Sequence, residues 1–227
     1  MLKLVTANQS SYSRTPLQPR RVHTITDRFA KLIVRLLCDY IQRFLHRTID
    51  DIDLIVLTHF HADHSSAVDK LRRLCHAPVA ASAINRQLVT EEKILPKFGH
   101  FAGQVLSGVL GHHDLLLPAS VQQIKLVDIW LNDVEGLPGH LDWRIIASVG
   151  HASESLCVYH PFSEELLCGD TLVALEGGSL LWRGGADRHQ REEILHILRS
   201  LSIRYLYPGH GRPVLSLQPL SKVEFEW

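Results

Sequence analysis

Within one short stretch, Thr58-His59-Phe60-His61-Ala62-Asp63-His64, four side chains able to ligate a metal fall inside six positions. His59 and His61 are two apart, so an extended backbone points them to the same side. Asp63 and His64 follow directly. A His-x-His-x-Asp-His pattern in a chain with 15 histidines is expected by chance in roughly 0.4% of such sequences, so an accidental cluster of surface histidines is a poor account of it. Three later segments repeat the theme with one candidate ligand each: Gly150-His151, Gly169-Asp170-Thr171 and Pro208-Gly209-His210-Gly211. All of these donors are nitrogen or oxygen and none is a thiolate. Such a set suits zinc, iron or manganese, with zinc as the default.

The elements that must hold these residues are legible around them. Residues 54–57 form a short apolar run between turn signals, as expected of a strand buried on both faces. The same kind of run precedes each later ligand, over 143–149, 165–168 and 205–207, so each ligand sits just past a strand end. Flanking glycines there let the backbone come close. Apolar residues at helical spacing predict an amphipathic helix over 27–46, and others over 66–75 and 187–200. Further strands are expected over 78–83, 124–131 and 155–160. Helix and strand alternate in the first part, the mark of a layered α/β architecture. Residues 85–120 mix apolar helical spacing with four glycines and are expected to be an inserted helical segment. Residues 8–23 read as loop, and no strand pair is evident in 1–26.

Composition narrows the function classes. Lys plus Arg and Asp plus Glu are 24 each in 227 residues, so there is no global field to gather nucleic acid or an anionic membrane. The 45% hydrophobic and 21% charged fractions fit a globular chain rather than a disordered one. No apolar run is long enough to span a bilayer. Cys38, Cys75, Cys157 and Cys168 make no C-x-x-C pair and are too sparse for a disulfide framework; they are expected to be reduced thiols in a cytoplasmic protein.

Taken in order, His59-x-His61-x-Asp63-His64, then His151, Asp170 and His210, with Leu57-Thr58-His59 and Tyr207-Pro208-Gly209-His210-Gly211 around them, this chain resembles the metallo-β-lactamase superfamily of metal-dependent hydrolases over about residues 25–215. The resemblance implies an αββα sandwich: two mixed sheets face to face, helices outside, and a two-metal site at one edge. It implies that His59, His61 and His151 hold one metal, that Asp63, His64 and His210 hold the second, and that Asp170 bridges them. Asp63 and Asp170 are then the catalytic carboxylates. Two cations ~3.5–4 Å apart can share a hydroxide and bring the pKa of its parent water toward neutrality. Its target would be an ester, lactone, thioester or related bond of a small molecule. The alternatives are a metal-binding but catalytically weak chain, or a thioesterase similar to glyoxalase II without its C-terminal helical domain. The chain departs from the family at its start, where residues 1–24 are expected to be poorly ordered or truncated ahead of one domain over 25–227.

Other residues carry weaker expectations. Cys168 lies two residues before Asp170 and could reach the metals, although a buried inert thiol is the preferred reading. Thr58 and Thr171 are expected either to brace ligands or to be ordinary strand-end residues. His100, His112, His113, His140 and His189 are expected on surfaces or loops. Trp182, Arg183 and Arg188 follow the bridging position, where an Arg can clamp an anionic substrate; solvated surface is preferred for all three.

Overall fold

A computed structural model describes residues 2–5, 30–65, 67–84, 86, 124–133, 135–176, 178–183 and 187–225. The first sheet is built from β1 (Leu2–Val5), β2 (Leu54–Leu57), β3 (Val79–Ser82) and β4 (Ile129–Leu131), in that spatial order. β2, β3 and β4 are parallel, and β1 runs antiparallel to β2 with Leu4 opposite Ile55. Between these strands lie α1 (Ala30–Phe44), α2 (Ala62–Ser65) and α3 (Val68–Cys75).

The second sheet has six strands: β5 (Gly136–Leu137), β6 (His140–Ala147), β7 (Leu156–His160), β8 (Glu165–Gly169), β11 (Tyr205–Pro208) and β12 (Val214–Leu215). Their order is β12-β11-β8-β7-β6-β5, and only β11 and β8 pair in parallel. A smaller sheet joins β9 (Leu172–Ala174), β10 (Leu180–Trp182) and β13 (Val223–Phe225). The last helix, α4 (Arg188–Arg199), is capped by Asp187, whose carboxylate accepts the Gln190 N–H at 2.9 Å. Such a cap is worth about 1 kcal/mol.

The layering follows from alternation along the strands. Ile55 and Leu57 of β2 face α1 and α3, packing with Val34, Leu37, Ile41 and Leu71. Leu54 and Val56, one residue out of phase, meet Trp143, Ile145, Leu156, Val158 and Leu167 of the second sheet. On the far side of that sheet Cys157, Tyr159, Leu166 and Cys168 pack against Ile194, Leu195 and Leu198 of α4. Three cores separate four layers, helix, sheet, sheet and helix, which is the αββα sandwich. Burying a leucine fully in such a core contributes about 1.5–3 kcal/mol relative to leaving it exposed.

Several expectations change. β1 pairs with β2, so the stretch 1–26, in which no strand pair was evident, contributes one strand to the first sheet. The strand expected over 124–131 is confined to its last three residues, because Ile124 is helical and packs into the first core and a turn follows it. In α3 the inward positions are Val68, Leu71 and Cys75, and Leu74 is exposed. Of the expected insertion over 85–120, only Arg86 is among the described residues, and the start of the helix expected over 27–46 also lies outside them.

Candidate metal centre

Strand direction brings the candidate ligands to one edge. β6 and β8 both run antiparallel to β7, and β11 runs parallel to β8. The C-terminal ends of β6, β8 and β11 therefore lie together, and His151, Asp170 and His210 follow them. β2 delivers His59 to the same place from the first sheet: the Leu156 N–H donates to the Thr58 carbonyl at 3.0 Å, tying the two sheets at this edge.

The histidine rings crowd at close range, three pairs edge to face and His59 with His64 tilted at 45°. His59 lies 4.6 Å from His61, 4.2 Å from His64 and 5.0 Å from His151 between ring centroids, and His61 lies 4.6 Å from His151. One oxygen of Asp170, Oδ2, receives three imidazole nitrogens: His64 Nε2 at 3.2 Å, His210 Nε2 at 3.2 Å and His151 Nε2 at 3.4 Å. His64 Nε2 and His210 Nε2 are 3.3 Å apart, and His151 Nε2 is 2.9 Å from His61 Nδ1. The donor atoms of His59, His61 and His151 lie within 4.8 Å of one another, as do those of His59, His64 and Asp170. Two overlapping triads thus share His59.

Burial sets the protonation states. His59 and His64 are each 1% exposed and Asp170 is 4% exposed. Burial drives the His59 imidazole well below the ordinary histidine range, so it is neutral and can offer a lone pair. Burial alone would raise the Asp170 carboxyl; the His210 hydrogen bond, first, and the favourable electrostatics of the surrounding imidazoles outweigh it and hold the carboxyl far below the ordinary range. Asp170 is therefore ionised. Among the described residues, His59 Nε2 and Asp170 Oδ1 are buried atoms of this cluster with no hydrogen-bond partner. Imidazole nitrogens this close to each other and to a carboxylate can be reconciled only by shared protons or by a cation. With two lone-pair donors left over, the donor set fits divalent metal ions.

The surroundings hold the rings in place. Thr58 Oγ1 lies 3.2 Å from His59 Nδ1, so a proton on Nδ1 leaves the Nε2 lone pair directed at the cluster. The Ser65 hydroxyl reaches the Phe60 carbonyl at 3.0 Å and the His61 carbonyl at 2.9 Å. Gly209 is required: a Cβ there would stand 1.8 Å from Asp170 Oδ1. Gly211, at φ +85°, would drive a Cβ to 2.1 Å from the Ala174 carbonyl. The sequence reading missed Glu154, which is 6% exposed and accepts the Phe60 N–H at 3.0 Å. An acid three residues after His151 was visible, but its partner is a backbone amide 94 residues away, and no side-chain pattern announces that.

The structure brings together every sequence-predicted ligand except Asp63, which lies in α2 and whose side chain is outside the described residues. Cys168 is fully buried in the core facing α4 with Cys157, as an inert thiol would be. None of the four cysteines is in a disulfide. Thr171 donates to the Ser148 hydroxyl at 2.8 Å. His140 is buried rather than exposed, with Nε2 3.7 Å from Asp53 Oδ2, and Trp182 is 2% exposed inside the core; both expectations of a surface position are corrected. The reason is strand pairing: His140 opens β6, and Trp182 lies on β10 between β9 and β13. His189 and Arg188 are exposed on α4, Arg188 pairing with Glu192 one turn on. Arg183 is half-buried, and its N–H donates to the Thr171 carbonyl at 3.4 Å. His100, His112 and His113 lie outside the described residues. No helix among the described residues is long and apolar enough to cross a membrane.

Known proteins share this sequence pattern and fold. The family model described as "Metallo-beta-lactamase superfamily" matches residues 28–210. The probable metallo-hydrolase YqjP of Bacillus subtilis is 23% identical over 199 residues, covering 78% of this chain and 60% of its own length. The metallo-beta-lactamase fold-containing protein ST1585 of Sulfurisphaera tokodaii is 29% identical over 133 residues, 59% of this chain and 49% of its own length. The chain therefore spans about half to three fifths of the length of these relatives. Among solved structures, a metallo-beta-lactamase family protein from Thermus thermophilus superposes with a TM-score of 0.51 at 23% identity, covering 88% of this chain and 68% of that one.

Proposed function

This chain belongs to the metallo-beta-lactamase superfamily, and from that premise we propose that it is a dinuclear-metal hydrolase acting on an ester, lactone, thioester or related bond of a small molecule. His59, His61 and His151 would hold one ion, and His64, His210 and Asp63 the second. Asp170, whose Oδ2 is already met by His64, His151 and His210, would bridge them. Bound ions, zinc by default with iron or manganese as alternatives, supply Lewis acidity and a water that ionises near neutral pH. The chain's own residues prepare for this. Burial keeps His59 neutral, and Thr58 Oγ1 meets its Nδ1, which leaves Nε2 for the ion. Asp170 stays ionised among imidazoles, and Gly209 leaves room for its Oδ1.

The observation that carries this reading is the buried convergence itself: His59 Nε2 and Asp170 Oδ1 are shut away from water, with no partner among the described residues, inside a cluster of ligand-type atoms. A balanced net charge supports a small-molecule substrate over nucleic acid or a membrane surface. Four cysteines outside any disulfide support a reducing, cytoplasmic setting. The test is elemental analysis of protein expressed with added zinc, followed by a panel of thioester, lactone, aryl ester and phosphodiester substrates. Close to two ions per chain and turnover of one class are expected. Ions without turnover would favour a metal-binding domain of low activity, and no ions at all would sink the reading.

A further inference from the structure

We propose that Glu154 is a positioning residue for the metal centre: its buried carboxylate fixes the peptide between His59 and His61 and so sets both rings against His151. The proposal rests on the reading of these three histidines as ligands of one ion. Glu154 Oε1 accepts the Phe60 N–H at 3.0 Å, and Oε2 accepts the Ser153 hydroxyl at 2.9 Å. On the other side of the same residue the Ser65 hydroxyl reaches the Phe60 carbonyl at 3.0 Å. The Phe60 ring is 1% exposed in the first core. Phe60 is thus held at its amide, its carbonyl and its side chain. Any rotation about its φ or ψ swings His59 relative to His61, so this clamp fixes their spacing.

The loop that carries Glu154 does not need the carboxylate for its own closure. The Gly150 and Ser155 N–H groups both donate to the Ala152 carbonyl at 3.2 Å, and the Ala152 N–H donates to Ser155 Oγ at 3.1 Å. The two sheets at this edge are already joined through Leu156 and Thr58. What the carboxylate adds is an acceptor, on the loop of the third histidine, for the N–H of the peptide joining the first two. That one bond couples all three rings of the triad.

The experiment is titration of Co2+ into metal-free wild type, Glu154→Ala, Glu154→Asp and Glu154→Gln, read by the visible ligand-field bands, with apo stability measured by urea unfolding. Loss of the acceptor (Glu154→Ala) or of its reach (Glu154→Asp) is expected to weaken the first Co2+ by about tenfold or more and to shift its bands. Glu154→Gln keeps an acceptor oxygen in place and is expected to bind nearly as wild type does, with the same bands. Wild-type affinity and bands in Glu154→Asp would overturn the proposal even if Glu154→Ala failed to fold. Equal losses in Glu154→Gln and Glu154→Ala would overturn it too, by showing that charge or packing matters and acceptor geometry does not. If the wild type itself takes up no Co2+, the metal reading has failed and this proposal goes with it; if only the variants match the wild type, the metal reading stands and Glu154 alone loses its role.

Discussion

Both ends of the second sheet carry histidines around a buried carboxylate, and they are organised in opposite ways. At the end away from the candidate metal centre, His160 Nε2 lies 2.9 Å from Asp142 Oδ2 and its Nδ1 lies 2.6 Å from Ser163 Oγ. Glu165, 1% exposed, accepts the Ser163 hydroxyl at 2.9 Å on one oxygen and the Tyr207 hydroxyl at 3.4 Å on the other. Both Glu165 oxygens and both His160 ring nitrogens have partners within the protein, spread over β6, β7, β8, β11 and the turn at Ser163. At the metal end, three imidazole nitrogens crowd one oxygen of Asp170, whose second oxygen has no partner among the described residues. The residue types are the same, so composition does not distinguish a structural network from a site. Satisfaction does: a network complete within the protein stiffens it, and one whose lone pairs converge unsatisfied is shaped around something else.

The sharpest way to break this comparison is to remove a shared ligand. His59→Ala takes a member from both triads and is expected to cut bound metal from about two ions to one or none, and any hydrolysis by at least about a hundredfold. Elemental analysis and initial rates measure both. Retention of two ions would return His59 to the structural class.

Next in size is Gly209→Ala, which touches no ligand chemistry. The added methyl would fall 1.8 Å from Asp170 Oδ1 and 3.0 Å from the Gly169 carbonyl, so the carboxylate has to turn away. Metal affinity is expected to fall by about tenfold, and apo stability by about 1–3 kcal/mol through overpacking. Metal titration unchanged from wild type would show that the Asp170 orientation is not what the site needs.

Ser163→Ala is the counterpart at the other end. It strips the hydroxyl from Glu165 Oε2 and from His160 Nδ1, which keeps the Ser163 N–H at 3.2 Å. A loss of about 1–3 kcal/mol in urea unfolding is expected, because a buried acceptor is left short, with metal stoichiometry unchanged. Lost metal in this variant would mean that the two ends are not separate devices.

How far the sequence could have told these ends apart depends on what kind of partner each residue has. His59, His61, His64, His151, Asp170 and His210 were legible because each follows a run that forms a strand, and strands 54–57, 155–160 and 165–168 were legible because their apolar runs are buried on both faces. β5, β12 and β13 are two or three residues long and carry no pattern of their own; neighbours impose their pairing. Glu154 was missed because its partner is a backbone amide. Trp182 and His140 were placed outside because strand pairing, which decides their burial, is not written next to them in the chain.

The smallest expected effect concerns Glu165 and sharpens the comparison through its sign. Burial pushes this carboxyl above its ordinary value, against the opposing pull of the Ser163 hydrogen bond, the His160 charge and the Tyr207 hydrogen bond. An acid whose pKa is higher folded than unfolded binds more protons in the native state over the interval between the two values. Stability then falls as pH rises through that interval and stays lowered above it. Asp170 has the opposite sign, because its carboxyl is held low in the folded chain. Glu165→Gln keeps an acceptor for one of the two hydroxyls and removes the titration. Its urea midpoint is therefore expected to lie closest to that of wild type near pH 4, in the ordinary carboxyl range, and to gain on wild type as pH rises to about 7.5. Unfolding of both proteins at the two pH values measures the difference, in which the titrations common to both cancel. A gap that moved against the variant with rising pH would show that the ionised carboxylate is favoured in its network, and the distinction drawn between the two ends would then rest on geometry alone.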